Sequence, residues 1–200
     1  MKITILTQGS RGDVQPYVAL GIGLEHAGHH VRLPAPEGFR PLILDAGLEF
    51  MPNHGFNPQE FIRTPEMQNA ARRGGQLRAL VSLLREARPL LEGMFDEYWR
   101  TSAGANALIA STLVFGMPDC AEKRGIPLIN APIQAILAPT RAFPATFFAP
   151  WGARADIPAN RITHSIVQLA FWMMFRTALN RWRLRMGLSP ISNYFQWLQA

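Results

Sequence analysis

Gly9-Ser10-Arg11-Gly12-Asp13-Val14-Gln15-Pro16 joins a β-rich run to a helical one, and this junction decides the fold. Ahead of it stands Lys2-Ile3-Thr4-Ile5-Leu6-Thr7; behind it, Tyr17 to Gly28 repeats its apolar residues with a helical period. The junction therefore opens a βαβ unit. Its two glycines allow positive φ angles and keep side chains away from an approaching group. Asp13 is placed to cap the helix that follows, and Pro16 falls in its first turn, where proline is tolerated. A ligand above the turn would meet backbone N–H groups, the positive end of a helix dipole, Arg11 and Asp13.

Downstream, Gly28 is a helix stop, and His30-Val31-Arg32-Leu33 reads as a second strand closed by Pro34 and Pro36. A short helix is expected from Phe39 to Ala46, stopped by Gly47, with Leu48-Glu49-Phe50-Met51 as a third strand. Strand–helix alternation at this spacing predicts an α/β fold: a Rossmann-like parallel sheet with helices on both faces. Residues 53–76 carry Pro58, Pro65, Gly74 and Gly75 and read as loop with short helical pieces. Leu77, Leu80, Val81, Leu84, Leu91, Met94, Phe95 and Tyr98 recur at helical steps, broken at Arg88-Pro89. Asn106 to Ala110 is a fourth strand candidate, Asp119 to Arg124 ahead of Gly125 is a helix end, and Ile126 to Asn130 is a fifth strand.

Residues 131–160 change character, with Pro132, Pro139, Pro144, Pro150 and Pro158 among Phe143, Phe147, Phe148 and Trp151. So long an aromatic, proline-rich loop is of the kind that closes over or binds a ligand. The part from 161 to 198 is expected to be helical. Ile162 to Met186 reads as one helix, apolar on nearly every face in its first half and basic in its second, suited to burial, to a partner domain or to a lipid interface. Gly187 ends it, and Ser189-Pro190 reads as the start of another helix through Leu198.

The 200 residues, 48% hydrophobic, suit one domain with a substantial core. The single cysteine, Cys120, excludes an internal disulfide framework and agrees with a reducing compartment. The chain runs directly into a strand with no secretory signal, and its apolar run Leu169 to Phe175 falls far short of the roughly 20 residues that span a bilayer, so the cytoplasm is the expected location. The net charge of +6 is uneven: residues 123–200 hold nine Lys or Arg against one acid, Asp156. A basic surface of this kind suits an anionic membrane, a nucleic acid or plain solubility. The Arg and Trp residues at 176–185 form no recognisable nucleic-acid module, and no nucleic-acid partner is expected.

Several chemistries are disfavoured by spacing. The turn reads G-x-x-G rather than G-x-G-x-x-G, and Leu33-Pro34-Ala35 supplies no acid for a ribose, which argues against a nicotinamide oxidoreductase. Gly12 is followed by Asp13 and Val14, not by the Lys and Ser or Thr of a phosphate-binding loop. His26, His29 and His30 lack an acid or Cys cluster to complete a metal site, and Ser10 lacks the G-x-S-x-G elbow of a hydrolase.

The run from Gly9 to Leu20, continued by Gly21-Ile22-Gly23-Leu24 and Ala27-Gly28-His29, closely resembles the glycosyltransferase group that contains sterol 3β-glucosyltransferases and the glycopeptide and macrolide antibiotic glycosyltransferases. Glu37-Gly38-Phe39-Arg40, Asp119-Cys120-Ala121-Glu122-Lys123 before Gly125-Ile126-Pro127, and Pro139-Thr140-Arg141-Ala142-Phe143-Pro144 extend the likeness over essentially the whole chain. That resemblance implies a GT-B architecture of two Rossmann-like domains, the first holding the acceptor and the second most of the nucleotide sugar. Residues 1–200 correspond to the first. The family's second-domain signature, a His-Gly-Gly run and a later Asp-Gln pair, is not found, so the chain looks like half of an inverting enzyme, the UDP-sugar being shared with a second domain or subunit. By itself it is expected to be inactive.

The resemblance gives Asp13 the role of base toward the acceptor hydroxyl, with Ser10, Arg11, Gly12 and Asp13 reaching the donor. Gln134, Phe143, Phe147, Trp151 and Trp172 are expected to shape a pocket for a sterol-like, lipid or polyketide acceptor, and the basic C-terminal third to dock on an anionic membrane. No cofactor or metal is expected beyond the UDP-sugar substrate. The alternative from another class is a non-catalytic binding or partner protein that retained the fold.

Overall fold

A computed structural model of the protein describes residues 1–54, 65, 68, 91–111, 114–133, 138–145 and 157–193. Five strands form one sheet: β1 (Lys2–Leu6), β2 (His30–Ala35), β3 (Glu49–Pro52), β4 (Ala107–Ala110) and β5 (Leu128–Asn130), in the order β3-β2-β1-β4-β5. All neighbours are parallel, with Ile3 opposite Val31 and Ala107, and Ile109 opposite Ile129. Helices α1 (Arg11–His26), α2 (Arg40–Leu44, preceded by a 3-10 turn at Glu37–Phe39), α3 (91–101 in its described part), α4 (Met117–Arg124) and α5 (Ala159–Arg185) complete the order.

Strand periodicity divides the core in two. Ile3, Ile5, Val31, Leu33 and Ile109 join Val14, Tyr17 and Val18 of α1 on one face of the sheet. Leu6, Leu108 and Ala110 join Phe95 and Tyr98 of α3, Met117 and Cys120 of α4, and Trp172, Phe175, Leu179 and Trp182 of α5 on the other. The expected parallel sheet with helices on both faces is therefore present, and each buried Ile, Leu or Phe stabilises it by about 1.5–3 kcal/mol. Gly21 lets α1 approach closely: a Cβ there would meet Leu48 Cδ1 at 2.7 Å and Val31 Cγ1 at 3.3 Å. On the opposite layer, buried Arg183 of α5 holds Asp119 (2.5 Å) and Glu122 (2.7 Å) of α4. The Asp119-to-Lys123 stretch of the family likeness thus ties two helices together. Cys120 lies inside the same layer, where burial pushes its thiol up to about 12 and removes it from thiolate chemistry.

Three local expectations are corrected. The first helix starts at Arg11, with Ser10 as its N-cap, so Asp13 is its third helical residue and Pro16 lies in the second turn. Pro34 is inside β2, opposite Met51 of β3, rather than beyond the strand. Pairing of β2 with β1 ends at Thr4–Arg32, so at Pro34 the strand has one neighbour left and tolerates a missing N–H. No helix begins at Ser189-Pro190 within 188–193. The Asn180 side chain takes both backbone groups of Ile191, accepting from its N–H (2.8 Å) and donating to its carbonyl (2.9 Å), while Arg183 Nε binds the Ser189 carbonyl (2.7 Å). Residues 194–198, and the expected helix at 77–90 with its break at Arg88-Pro89, lie outside the described residues.

Candidate functional site

In an open parallel sheet, ligands bind beyond the carboxyl ends of the strands where the winding reverses, here between β1 and β4. The Gly9-to-Asp13 turn lies at that point, between β1 and α1. Gly9 takes φ +128°, and a Cβ at this position would stand 2.3 Å from Asp13 Oδ2. Only glycine permits the carboxylate to fold back over the turn. Asp13 Oδ2 accepts the Ser10 backbone N–H at 2.6 Å and the Ser10 hydroxyl at 2.8 Å. One carboxylate oxygen is thus fixed by two donors, while Oδ1 has no hydrogen-bond partner among the described residues. The Thr7 hydroxyl holds the Asp13 backbone carbonyl from below at 2.7 Å. Ser10 and Asp13 are half-buried; Arg11 and Gly12 are exposed at the start of the helix, with Arg11 Nε donating to Gln15 Oε1 at 3.0 Å.

One turn beyond Asp13, the buried Tyr17 hydroxyl donates to the Ala131 carbonyl at 2.5 Å. Burial raises the Tyr17 pKa, the Ser111 hydroxyl works against that rise, and the Asp13 carboxylate adds to it. The phenol therefore remains a donor near neutrality. The floor of the crevice continues the ladder of the sheet: Ser111 N–H binds the Leu6 carbonyl and Ala131 N–H the Ala110 carbonyl, each at 3.0 Å. Behind the turn, the Tyr98 hydroxyl donates to buried Gln8 Oε1 at 2.7 Å, and burial drives the Tyr98 pKa far upward. Tyr17, Gln8, Tyr98 and Ser111 were not singled out by the sequence. The only signal for Tyr17 is its four-residue spacing from Asp13, which puts the two on one helix face.

The structure brings Ser10, Arg11, Gly12 and Asp13 together. Of the expected acceptor residues, Phe143 is exposed beside α5, its ring edge-on to His164 at 5.9 Å, with its carbonyl accepting from His164 Nε2 at 3.1 Å. Asn160 Nδ2 donates to the Arg141 carbonyl (2.6 Å), and Thr163 Oγ1 accepts the Ala145 N–H (2.8 Å), so 141–145 is stapled to the start of α5. Trp172 is buried in the layer between α5 and the sheet. Gln134, Phe147 and Trp151 lie outside the described residues. His30, one of the three histidines without a metal-completing cluster, binds Glu49 at 2.8 Å and stands 3.5 Å from Glu25.

Residues 3–141 match the model of the glycosyltransferase family 28 N-terminal domain. The chain is 35% identical over 195 residues to O-mycaminosyltylonolide 6-deoxyallosyltransferase of Streptomyces fradiae, covering 95% of this chain and 44% of that protein. It is 32% identical over 200 residues to a sterol 3-beta-glucosyltransferase of Debaryomyces hansenii, covering 98% of this chain and 12% of that one. Among solved structures, the glycotransferase of kitacinnamycin superposes with a TM-score of 0.59 at 16% identity over 96% of this chain and 42% of its own. The calicheamicin glycosyltransferase CalG4 gives 0.54 at 15% over 86% and 42%. These two show the fold alone, whereas the sequence match reaches further; this chain, which spans less than half the length of these relatives, belongs to the glycosyltransferase family 28 N-terminal domain family.

Proposed function

We propose that this chain is the acceptor-binding half of an inverting glycosyltransferase that moves a hexose from a UDP-sugar to a hydroxyl of a sterol-like, lipid or polyketide acceptor. The observation that carries the reading is the Asp13 carboxylate at the β1–β4 crevice, half-buried, fixed through Oδ2 by Ser10 and with no partner on Oδ1 among the described residues. A base must be both oriented and accessible, and this arrangement supplies both. The acceptor O–H proton passes to Asp13 Oδ1 as the oxygen forms its bond to the anomeric carbon. The bond from that carbon to the diphosphate breaks on the opposite side, and the electron pair leaves with the UDP. Inversion follows from the single displacement.

The leaving diphosphate needs positive partners. Arg11, exposed at the positive end of α1, is one this chain could extend to it. Ser10 in this reading serves Asp13 first, since its hydroxyl proton is already given to that carboxylate. The rest of the diphosphate and the uridine require a second domain or subunit, and the chemistry needs no metal or further cofactor. A surface of α5 fits the lipid-like acceptor class: Ile162, Ile166, Leu169 and Met173 are exposed at helical spacing, Arg161 and Arg176 flank them, and no acid occurs in the helix.

The test joins the chain to the nucleotide-binding half of a relative and supplies UDP-[14C]glucose with cholesterol. The expected result is a β-glucoside formed by the joined protein and none by the 200-residue chain alone. An α-linked product, or equal turnover by the chain alone, would refute the reading.

A further inference from the structure

We propose that Thr7 is a positioning residue that ties Asp13 to the end of β1, so that the carboxylate is aimed from the sheet as well as from its own helix. The inference rests on the acceptor-half reading above, in which Asp13 is the base, but concerns a residue which that reading does not use.

The hold on Asp13 has two parts. Ser10 takes Oδ2 with its backbone N–H (2.6 Å) and its hydroxyl (2.8 Å). Ser10, however, is the N-cap of α1 and moves with it, so it sets the carboxylate against the helix and not against the sheet. Thr7 stands on the other side of the turn. It directly follows Leu6, the last residue of β1, whose carbonyl accepts the Ser111 N–H at 3.0 Å. The Thr7 hydroxyl donates to the Asp13 carbonyl at 2.7 Å. Among the described residues, Thr7 is the hydrogen-bond partner of Asp13 that lies outside α1 and its cap.

Val14 and Val18 share one apolar layer with Ile5 and Val31, and such packing has no preferred direction. A hydrogen bond has one, because it weakens steeply as its angle departs from the optimum. Thr7 can therefore fix how far the first turn of α1 is rotated or slid over the strand end, which packing leaves loose. Its β-branched side chain is 2% exposed and has few rotamers open to it, so the hydroxyl is itself held in place. The Asp13 carbonyl does not depend on Thr7 for its pairing. As the third residue of α1, Asp13 presents that oxygen to the Tyr17 N–H four positions on. Thr7 is a second donor, and its loss orphans no acceptor. Valine fills nearly the same space without the hydroxyl, so it should loosen the aim of Asp13 at little cost to the fold.

The experiment compares the 200-residue chain with Thr7→Val and Thr7→Ser by amide exchange at single residues and by thermal melting. The Ser10 N–H reports directly on the Asp13 carboxylate that holds it. In Thr7→Val it should exchange about tenfold faster while amides of 3–6 and 18–26 keep their rates, and the melting temperature should stay within about 3 °C. Thr7→Ser, which keeps the hydroxyl, should restore the Ser10 rate. In the enzyme joined to a relative's nucleotide-binding half, Thr7→Val should lower kcat for UDP-glucose and cholesterol about tenfold with KM for UDP-glucose unchanged. An unchanged Ser10 rate in Thr7→Val overturns the proposal, as does failure of Thr7→Ser to restore it. Equal acceleration across 3–6 and 18–26, or an unfolded Thr7→Val, marks a residue that only supports the core and overturns it too. Faster Ser10 exchange with kcat unaltered overturns the positioning role unless Asp13→Asn also keeps full turnover. In that case the base reading of the proposed function falls, and the Ser10 amide decides whether Thr7 holds the carboxylate.

Discussion

Ser10, Asp13 and Gly9 form a lock in which each residue's identity is required by another. Asp13 Oδ2 needs two donors on Ser10, and its return over the turn needs a residue without a Cβ at 2.3 Å. Gly9→Ala would place a methyl against the carboxylate and force an alanine to φ near +128°. We expect a loss of about 1–3 kcal/mol, a drop of several degrees in the melting temperature, together with displacement of Asp13. An unaltered melting temperature, with Asp13 unmoved in a crystal structure of the variant, would remove the lock. From sequence the pair of glycines and the acid were legible, but the direction of capping was not. Ser10 and Asp13 are both good capping residues, and the choice between them depends on where the helix begins, which the approach of Gly9 to Asp13 decides.

At the scale of elements, α3 is tied to the end of β3 by charge. Glu97 accepts the His54 N–H at 2.8 Å and pairs with Arg100 at 2.7 Å, whose guanidinium also reaches the Pro52 carbonyl at 2.6 Å. The Arg100 hydrogen bond holds the Glu97 pKa below the usual 4.5, burial opposes it, and the His54 N–H assists. A carboxyl whose folded pKa is depressed stabilises the fold above its unfolded value and loses that contribution as pH falls through the folded one. Glu97→Gln should therefore melt lower than the unaltered chain at pH 7 and converge with it by pH 3. A constant gap across that range in thermal melts would refute the ionic tie. Strands were the most legible elements, because Ile3, Ile5, Val31, Leu33, Leu108 and Ile109 are apolar whichever face they meet. The stretch after Gly187 was not, since Ser189-Pro190 is a sound local start signal overridden by Asn180, a residue eleven positions away from Ile191.

Across the whole molecule, the two sheet faces divide the labour. The α1 face carries Asp13 and Tyr17; the other face carries α5 with its exposed apolar row and the exposed Arg161 and Arg176, which have no ion pair among the described residues. None of the described helices is long and apolar enough to cross a membrane. An interfacial contact predicts that the chain sediments with vesicles containing phosphatidylserine at low salt, that about 0.5 M salt releases it, and that Ile166→Asp with Met173→Asp abolishes sedimentation. Sedimentation by that double variant equal to the unaltered chain would exclude α5 as the contact.

The family, the parallel sheet and the Gly9-to-Asp13 turn were readable from the sequence because they rest on local pattern. The crevice floor was not, since Tyr17 meets Ala131 across 114 positions and Tyr98 meets Gln8 across 90. Trp172, an aromatic among aromatics, gave no sign in the sequence of which side of α5 it would occupy.

The proton-abstraction role of Asp13 is most directly tested by Asp13→Asn in the joined enzyme, read as turnover of UDP-[14C]glucose with cholesterol alongside the melting temperature. Asparagine preserves the shape but cannot take the proton, so turnover should fall by about 10²–10⁴-fold while the protein remains folded. Turnover within a few fold of the unaltered enzyme would contradict the role.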